Sequence, residues 1–272
     1  MNDASPPQPV IDGATRLLGI VGDPIEQVKS PLVFNPRFKA AGVNAVLVPF
    51  HVPADAFEPS LRGLMALGNL DGLIVTVPYK TRALSLVDEV LPTGRNVGAI
   101  NAIRREKDGR WTGDMFDGRG LVRGLAAENI SIAGRRTMLI GAGGAGSAVA
   151  FAFAEAGAAA LTIHDIDATK AQSLVARLQK AFPACLARTG APQAAGHDVI
   201  INATPIGMAE GEGLPAPLGW LEASQLVIDV IAKPEVTPLL AEARARGCRT
   251  VGGKAMLDGQ VAELEKFFRI GG

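Results

Sequence analysis

The segment that most constrains the fold is a run of six small residues: Gly141, Ala142, Gly143, Gly144, Ala145 and Gly146. It follows an apolar run, Thr137–Ile140, and opens a helix-like stretch, Gly144–Ala156. In the order strand, glycine loop, helix, backbone N–H groups of a helix N-terminus can face a pyrophosphate, and small residues allow close approach. A glycine pattern alone is weak in a chain with 32 glycines, and a ligand-free tight turn is the other interpretation. The flanking strand and helix favour a Rossmann dinucleotide-binding domain.

An acidic residue follows the next apolar run, Ala160–Ile163. Asp165 lies about twenty residues past the glycine loop, where a carboxylate accepts hydrogen bonds from both adenosine ribose hydroxyls and repels a 2′-phosphate. This position predicts NAD as the cofactor and makes NADP the less favoured one. A solvated aspartate that starts an Asp-rich turn with Asp167 is the alternative.

Short apolar runs alternate with helix-like stretches along the chain, which is typical of parallel α/β units. In the first half we predict strands at Arg16–Val21, Ala45–Phe50 and Gly72–Val77, helices at Leu32–Ala41 and Ala54–Leu67, and a hairpin edge over Gly98–Trp111. In the second half we further predict a helix at Ala168–Ala181, strands at Val199–Asn202 and Gln225–Val230, and a last helix from about Leu257 to Phe268. The boundary between the two units falls near Asp117–Ala133, and Gly252-Gly253 is a natural hinge before the last helix.

Composition narrows the class of partner. Lys plus Arg and Asp plus Glu number 27 each, without a run of like charge, so the footprint of a nucleic-acid or anionic-membrane binder is missing. The most apolar stretch, about Ala148–Ile163, is interrupted by Glu155 and Gly157 and is too short for a membrane span. Cys185 and Cys248 are isolated and the three histidines are scattered, which predicts neither a disulfide framework nor a metal site. We therefore expect a small-molecule partner.

The N-terminal segment, Met1–Gln8, is polar and Pro-rich. It lacks the basic flank and apolar stretch of a secretory signal, so we expect a frayed end and a cytoplasmic protein. Whether the protein is a monomer or a homodimer stays open.

Further short motifs occur in a fixed order along nearly the whole chain. They are Gly22-Asp23-Pro24-Ile25, Lys29-Ser30-Pro31, Val75-Thr76-Val77-Pro78-Tyr79-Lys80, Gly98-Ala99-Ile100-Asn101, Gly113-Asp114, Asp117-Gly118, Asn202-Ala203-Thr204, and Gly253 with Gln260. Together with the glycine loop, this set resembles the shikimate dehydrogenase family, including its quinate/shikimate branch. The resemblance implies an α/β enzyme with an N-terminal substrate domain over residues 1–116, completed by a final helix within 253–272, and a C-terminal Rossmann domain over 117–252.

The resemblance also implies an active site in the cleft between the domains, with Lys80 and Asp117 as the catalytic pair. Oxidising a secondary alcohol needs a group that removes the hydroxyl proton while hydride leaves for the nicotinamide, and a lysine partly shielded from water and held by a carboxylate is suited to this. By themselves, a lysine after a strand is usually solvated and Asp117-Gly118 is an ordinary turn pair. The catalytic roles of Lys80 and Asp117 therefore rest on the resemblance to the family.

The remaining contacts are assigned in the same way. The substrate residues implied by the resemblance are Ser30, Thr76, Lys80, Asn101, Asp117 and Gln260, and the cofactor residues are the glycine loop, Asp165, Thr204, Val230 and Gly253. Ser30 before Pro31 is also the pattern of a helix N-cap, and a helix N-terminus favours the carboxylate that the family's serine contacts. Thr76 could instead be a buried strand residue, Asn101 a turn former, and Asn202–Gly207 an ordinary Pro/Gly turn.

Four departures from the family pattern make the pocket more apolar or reshape it. Val28 replaces a carboxylate-binding serine, Ile74 a common asparagine, Ala232 an aromatic residue, and Met115-Phe116 small polar residues. Losing one hydrogen bond to a carboxylate costs about 1.5 to 3 kcal/mol, so shikimate would bind more weakly or another substrate would replace it.

We expect an NAD-preferring oxidoreductase that interconverts shikimate, quinate or a related cyclic hydroxy acid with its 3-dehydro form. The alternatives are a non-catalytic or regulatory NAD-binding protein that kept the fold, and a dehydrogenase of a different hydroxylated carboxylate. A methylenetetrahydrofolate dehydrogenase of similar architecture is a further one, although the segment Thr76–Lys80 fits shikimate-type enzymes better.

Overall fold

The computed structural model describes residues 11–270, so the expected frayed end at Met1–Gln8 lies outside the described residues. Within this range the chain forms two six-stranded sheets covered by helices, which confirms the predicted α/β class. None of the helices in the described range is both long and apolar enough to cross a bilayer.

The first sheet contains the N-terminal elements. These are β1 (Arg16–Gly22), α1 (Ser30–Ala40), β2 (Ala45–His51), α2 (Phe57–Met65), β3 (Leu70–Val75), a 3₁₀ turn (Arg82–Leu86), β4 (Glu89–Val90), α3 (Pro92–Val97), β5 (Ala102–Arg105) and β6 (Trp111–Asp114). The strand order is β2-β1-β3-β5-β6-β4, with β1, β2 and β3 parallel and β5 and β6 forming an antiparallel hairpin. The hairpin was predicted, but its place at the sheet edge was wrong, because the two-residue β4 pairs with β6 and occupies that edge.

The second sheet follows in sequence and is parallel throughout. Its elements are α4 (Asp117–Ala127), β7 (Arg136–Ile140), α5 (Gly144–Glu155), β8 (Ala160–His164), α6 (Ala168–Ala181), β9 (Leu186–Thr189), β10 (Val199–Asn202), β11 (Leu226–Asp229), α7 (Pro238–Ala245), β12 (Arg249–Val251) and α8 (Lys254–Phe267). The order β12-β11-β10-β7-β8-β9 reverses direction between β7 and β10. In open α/β sheets ligands bind in the crevice at such a reversal, beyond the carboxyl ends of the strands.

Helix α4 joins the two halves through unusually close backbone contacts. A Cβ at Gly118 would lie 2.0 Å from the carbonyl oxygen of Ala148 in α5, and one at Gly124 would lie 2.3 Å from the carbonyl oxygen of Ala255 in α8. Glycine lowers helix stability in isolation, but these positions leave no room for any larger residue. The N-terminus of α4, where Asp117 lies, is therefore fixed between the glycine loop's helix and the last helix.

The last helix covers the first sheet, as predicted. Val261, Leu264 and Phe267 of α8 pack in one buried cluster with side chains of β1 and α1, among them Leu18 and Phe34. The residues that complete the N-terminal core thus come from the far end of the described chain.

Candidate active site

Lys80 and Asp117 form a close ion pair between the two halves of the molecule. The Lys80 Nζ atom lies 2.5 Å from Asp117 Oδ2, and the two side chains are 13% and 3% exposed. Lys80 follows the end of β3, whereas Asp117 is the first residue of α4. The pair is shielded from water on most sides, and Lys80 keeps a small accessible face.

Asn101 holds the other oxygen of the Asp117 carboxylate. Its Nδ2 donates to Asp117 Oδ1 at 2.7 Å and to Gln260 Oε1 at 2.8 Å, and its Oδ1 accepts from the Phe116 N–H at 2.9 Å. Since a backbone N–H can only donate, the Phe116 contact fixes which end of the amide is oxygen. Lys80, Asn101, Asp117 and Gln260, predicted from four separate motifs, are brought together in one hydrogen-bonded cluster.

The glycine loop lies directly against this cluster. A Cβ at Gly144 would be 2.8 Å from Lys80 Cβ, so the helix N-terminus that follows the loop touches the candidate catalytic residue. Gly141 has φ of 100°, and a Cβ at Gly146 would be 1.9 Å from the Gly141 carbonyl oxygen. Gly143 has open space around it, with nothing within 4 Å of a Cβ built there. A tight turn, an open approach and a close helix-strand contact are the three requirements of a pyrophosphate loop, so these residues fit a dinucleotide.

Asp165 lies just past the end of β8, at the position predicted for the ribose-binding acid. Its Oδ2 accepts from the Ala142 N–H of the glycine loop at 2.6 Å, and its Oδ1 accepts from the Asp167 N–H at 2.9 Å. The neighbouring Ile166 is 99% exposed. The Asp165 carboxylate thus supports the loop through backbone contacts while each oxygen keeps acceptor capacity for a ligand hydroxyl.

A buried carboxylate that we did not predict, Asp229, holds the segments that follow β10 and β11. Asp229 is fully buried at the end of β11 and accepts from Thr237 Oγ1 at 2.7 Å and from Asn202 Nδ2 at 3.2 Å. Asn202 Oδ1 in turn accepts from the N–H and the hydroxyl of Thr204. Burial raises the pKa of Asp229 to about 6, against the lowering effect of its hydrogen-bond donors. Its signal in the sequence was an aspartate ending an apolar strand.

Thr204 is held next to the glycine loop by this network. A Cβ at Gly141 would lie 2.8 Å from the Ala203 carbonyl oxygen and 3.0 Å from Thr204 Cγ2. The predicted cofactor residues Val230 and Gly253 also meet, since a Cβ at Gly253 would be 2.4 Å from the Val230 carbonyl oxygen. The loops after β7 and β10 therefore meet where the strand order reverses, and the loop after β11 meets the segment that leads into α8.

The predicted substrate residues near the N-terminus are less tightly joined to this cluster. Thr76 follows β3, and a Cβ at Gly22 would lie 2.4 Å from its Cγ2 atom, which places it at the carboxyl edge of the first sheet. Ser30 is 6% exposed but is not the N-cap of α1, because that position belongs to Lys29 and carries no side-chain cap bond. The N-cap interpretation was wrong by one residue, as the helix starts at Ser30 itself.

A family model described as the shikimate dehydrogenase substrate binding domain matches residues 20–103. A shikimate dehydrogenase (NADP(+)) of Symbiobacterium thermophilum is 39% identical over 254 residues, spanning 90% of this chain and 86% of the relative. The chain belongs to the shikimate dehydrogenase family.

Two solved structures share the architecture of this family member closely. The shikimate 5-dehydrogenase of Listeria monocytogenes, in complex with shikimate and NAD, is 30% identical with a TM-score of 0.80, and 96% of this chain and 92% of that one are covered. The ligand-free 5-ketofructose reductase of Gluconobacter sp. strain CHM43 is 30% identical with a TM-score of 0.76, and the covered shares are 93% and 92%. The proteins similar to this chain thus share one fold, although their names and bound ligands point to different cofactors and substrates.

The departures of this family member from the usual pattern have distinct surroundings. Ile74 is 6% exposed and packs in the core with Phe116, while Val28 packs half-buried at the rim of the same cluster. Ala232 lines an open cavity of about 250 Å³ beside Gly252 and Gly253. In the part of the chain that the structure describes, His, Cys, Asp and Glu side chains form no group of three that could hold a metal ion.

Proposed function

We propose that this protein is an NAD(P)-dependent oxidoreductase that interconverts a ring hydroxyl of shikimate, or of a related cyclic hydroxy acid, with the ketone of its 3-dehydro form. The observation that carries the proposal is the shielded Lys80–Asp117 pair packed directly against Gly144 of the glycine loop. Relatives named as shikimate dehydrogenases support the same substrate class.

Lys80 transfers the proton in this proposal, while Asp117 and Asn101 position it. A bound nicotinamide would supply or accept the hydride. In ketone reduction the Lys80 ammonium donates a proton to the substrate oxygen, and in alcohol oxidation the neutral amine takes that proton back. Asp117 holds the Lys80 nitrogen in line at 2.5 Å, and Asn101 keeps the carboxylate turned toward it. Holding the groups in register in this way supplies the orientation that hydride transfer needs.

The test of the base is a Lys80→Ala variant compared with a Lys107→Ala control, in which an exposed lysine of the β5–β6 turn is removed. General acid–base catalysis contributes about 100- to 10,000-fold, so kcat for shikimate oxidation should fall by at least about 100-fold in the first variant only. Near-normal turnover of Lys80→Ala would remove this assignment. Tight cofactor binding by the wild type, without turnover of any polyol acid, would instead favour the non-catalytic NAD-binding alternative.

We further propose that NAD is preferred over NADP, although the named relative from Symbiobacterium thermophilum is an NADP(+) enzyme. The support is the Asp165 carboxylate, which would repel a 2′-phosphate, and the exposed Ile166, which offers no charge to bind one. Steady-state kinetics with both cofactors should give kcat/KM at least about tenfold higher for NAD, equivalent to about 1.4 kcal/mol. A double variant, Asp165→Asn with Ile166→Arg, should shift the ratio toward NADP while the asparagine oxygen still accepts from Ala142. Equal or better use of NADP by the wild type would contradict the preference.

A second candidate substrate class is an uncharged polyhydroxy ketone. It is favoured by Val28, where the family resemblance expects a carboxylate-binding serine, and by the similarity to a 5-ketofructose reductase. We expect the KM of the wild type for shikimate to be higher than that of family members that keep the serine. Val28→Ser should lower this KM by about tenfold, because one hydrogen bond to a charged group is restored. If Val28→Ser leaves the shikimate KM unchanged and uncharged ketones turn over faster, the second class replaces the first.

A further inference from the structure

An arginine of the nucleotide-binding half reaches across to the substrate half. Arg177 lies on α6, and its Nη1 atom donates to the backbone carbonyl oxygens of Val97 and of Asn96, the latter at 3.3 Å. Its Nη2 atom lies 3.5 Å from the hydroxyl of Ser147 in α5, the helix that follows the glycine loop. One guanidinium therefore touches the C-terminus of α3 and the cofactor helix together.

The surroundings of Arg177 are unusual for a charged group. No acidic side chain of residues 11–270 lies within salt-bridge distance of it, and burial lowers the pKa of its guanidinium. The negative partner is the C-terminal end of α3, whose unpaired carbonyl groups carry partial negative charge. Gly98, which ends α3 at φ of 71°, makes room for it, since a Cβ there would lie 2.8 Å from Arg177 Nη1.

The backbone that Arg177 holds leads directly into the candidate site. After Val97, Ala99 lies 3.4 Å from a Cβ built at Gly144, and the Ile100 N–H donates to the Lys80 carbonyl oxygen at 2.8 Å. Asn101 comes next and holds Asp117. Only three residues thus separate Val97, which Arg177 contacts, from Asn101, whose side chain orients the catalytic pair.

We propose that Arg177 is a positioning residue for hydride transfer: it fastens the segment Val97–Asn101 of the substrate half to the nucleotide half and so sets the distance between the Lys80–Asp117 pair and the cofactor loop. This inference rests on the proposed oxidoreductase function. Because the Arg177 contact joins the two halves, it acts on the relative placement of the catalytic pair and the glycine loop rather than on either binding site alone.

The experiment compares Arg177→Ala and Arg177→Lys with Arg188→Ala, a control on β9 whose Nε atom donates to Thr162 of the same half. Misplacement of reacting groups by about 1 Å costs on the order of 100-fold in rate, so kcat of Arg177→Ala should fall by about 10- to 100-fold while the Kd of the cofactor alone stays within about twofold. Arg177→Lys keeps a donor for Val97 and should give an intermediate kcat. Added ethylguanidinium should restore part of the kcat of Arg177→Ala, but leave the control unchanged.

Hydrogen exchange provides a readout that does not depend on turnover. The amides of residues 98–101 should exchange at least about tenfold faster in Arg177→Ala than in the wild type or in Arg188→Ala, because local opening governs their exchange. Unchanged exchange together with wild-type kcat would overturn the positioning role. A fall in kcat that ethylguanidinium does not restore, and that scales with the fraction of unfolded protein, would overturn it as well. If the wild type turns over no substrate, the proposed function fails, and the exchange comparison still decides whether Arg177 fastens the two halves.

Discussion

At the scale of single residues, Asn101 determines the geometry of the candidate site. Its two amide hydrogens go to Asp117 and Gln260, and its oxygen takes the Phe116 N–H. Gln260 comes from α8, so one buried amide joins the hairpin, α4 and the last helix. With Asn101 on one carboxylate oxygen, the other oxygen of Asp117 is left facing Lys80.

We predict that Asn101→Asp impairs catalysis more than Asn101→Ala. Alanine removes all three side-chain hydrogen bonds of Asn101, and the lost bond to the charged Asp117 alone costs about 1.5 to 3 kcal/mol, so kcat should fall by about 10- to 100-fold. Aspartate would also place a carboxylate where Nδ2 now lies 2.7 Å from Asp117 Oδ1, and the like charges would repel. Steady-state kinetics of the two variants decides this, and an aspartate variant as active as the alanine one would contradict it.

Much of the candidate site could be predicted at this scale, because short motifs mark it. Lys80, Asn101, Asp117 and Gln260 each lie in such a motif, and the structure joins them. Arg177 could not be predicted, because its partner carbonyl lies 80 residues away in sequence and a backbone oxygen leaves no residue signature.

At the scale of elements, helix α4 depends on glycines for its position. Gly118 faces α5, whereas Gly120 and Gly124 face α8, and Gly259 of α8 faces back toward the Gly120 carbonyl oxygen. Because both partner helices approach its backbone, α4 carries Asp117 to a point that neither half alone would define.

We predict that Gly124→Ala destabilises the protein, whereas Gly63→Ala stabilises it. The new Cβ at residue 124 would meet the Ala255 carbonyl oxygen at 2.3 Å, so the helices must separate, at a cost of about 1 to 3 kcal/mol. Gly63 lies on the exposed face of α2, with nothing within 4 Å of a Cβ built there, and alanine is favoured at this position by about 0.5 to 1 kcal/mol. Urea unfolding measures both changes, and equal stabilities of the two variants would refute the packing argument.

Most of the long elements of the fold were predicted, but helices α4 and α7 were missed, together with several short elements. Helices α5 and α6 match within one residue at either end. Strands β9 and β12, of four and three residues, give no clear pattern, since β9 pairs with one neighbour and exposes most of its side chains. Helix α3 was missed because six residues with Pro92 and Gly94 do not look helical in isolation. The exact limits of the two domains, at residues 116 and 253, stay a prediction.

At the scale of the whole molecule, stability depends on a histidine inside the nucleotide half. His197 is 7% exposed, its Nδ1 faces the Gln193 carbonyl oxygen at 3.1 Å, and its Nε2 lies 2.9 Å from Thr162 Oγ1. A carbonyl only accepts, so Nδ1 donates, and in the neutral ring Nε2 accepts from the Thr162 hydroxyl. Burial lowers the pKa of His197 below its usual 6.5.

We predict that His197→Gln reduces the loss of stability on acidification. As the pH falls below 6.5, His197 takes up a proton in the unfolded chain but stays neutral in the folded protein, where its pKa is lower. This residue therefore makes the free energy of unfolding fall as the pH falls. Asp229 acts in the opposite direction, since its raised pKa of about 6 favours the folded state below that pH, but it is common to both proteins and cancels. The drop in Tm between pH 7.5 and 5.5 should be smaller in the variant, and an identical drop would contradict the linkage.

The return of α8 to the first sheet has a consequence for how the protein is made. The strands β1 to β6 leave the ribosome early, but the side chains that cover this sheet, Val261, Leu264 and Phe267, are made only after all the strands of the second sheet. Until then the apolar face of the nascent sheet is open to chaperones and to other chains. The half that is made first is therefore the last to be completed, because its covering helix follows β12, the last strand of the second sheet.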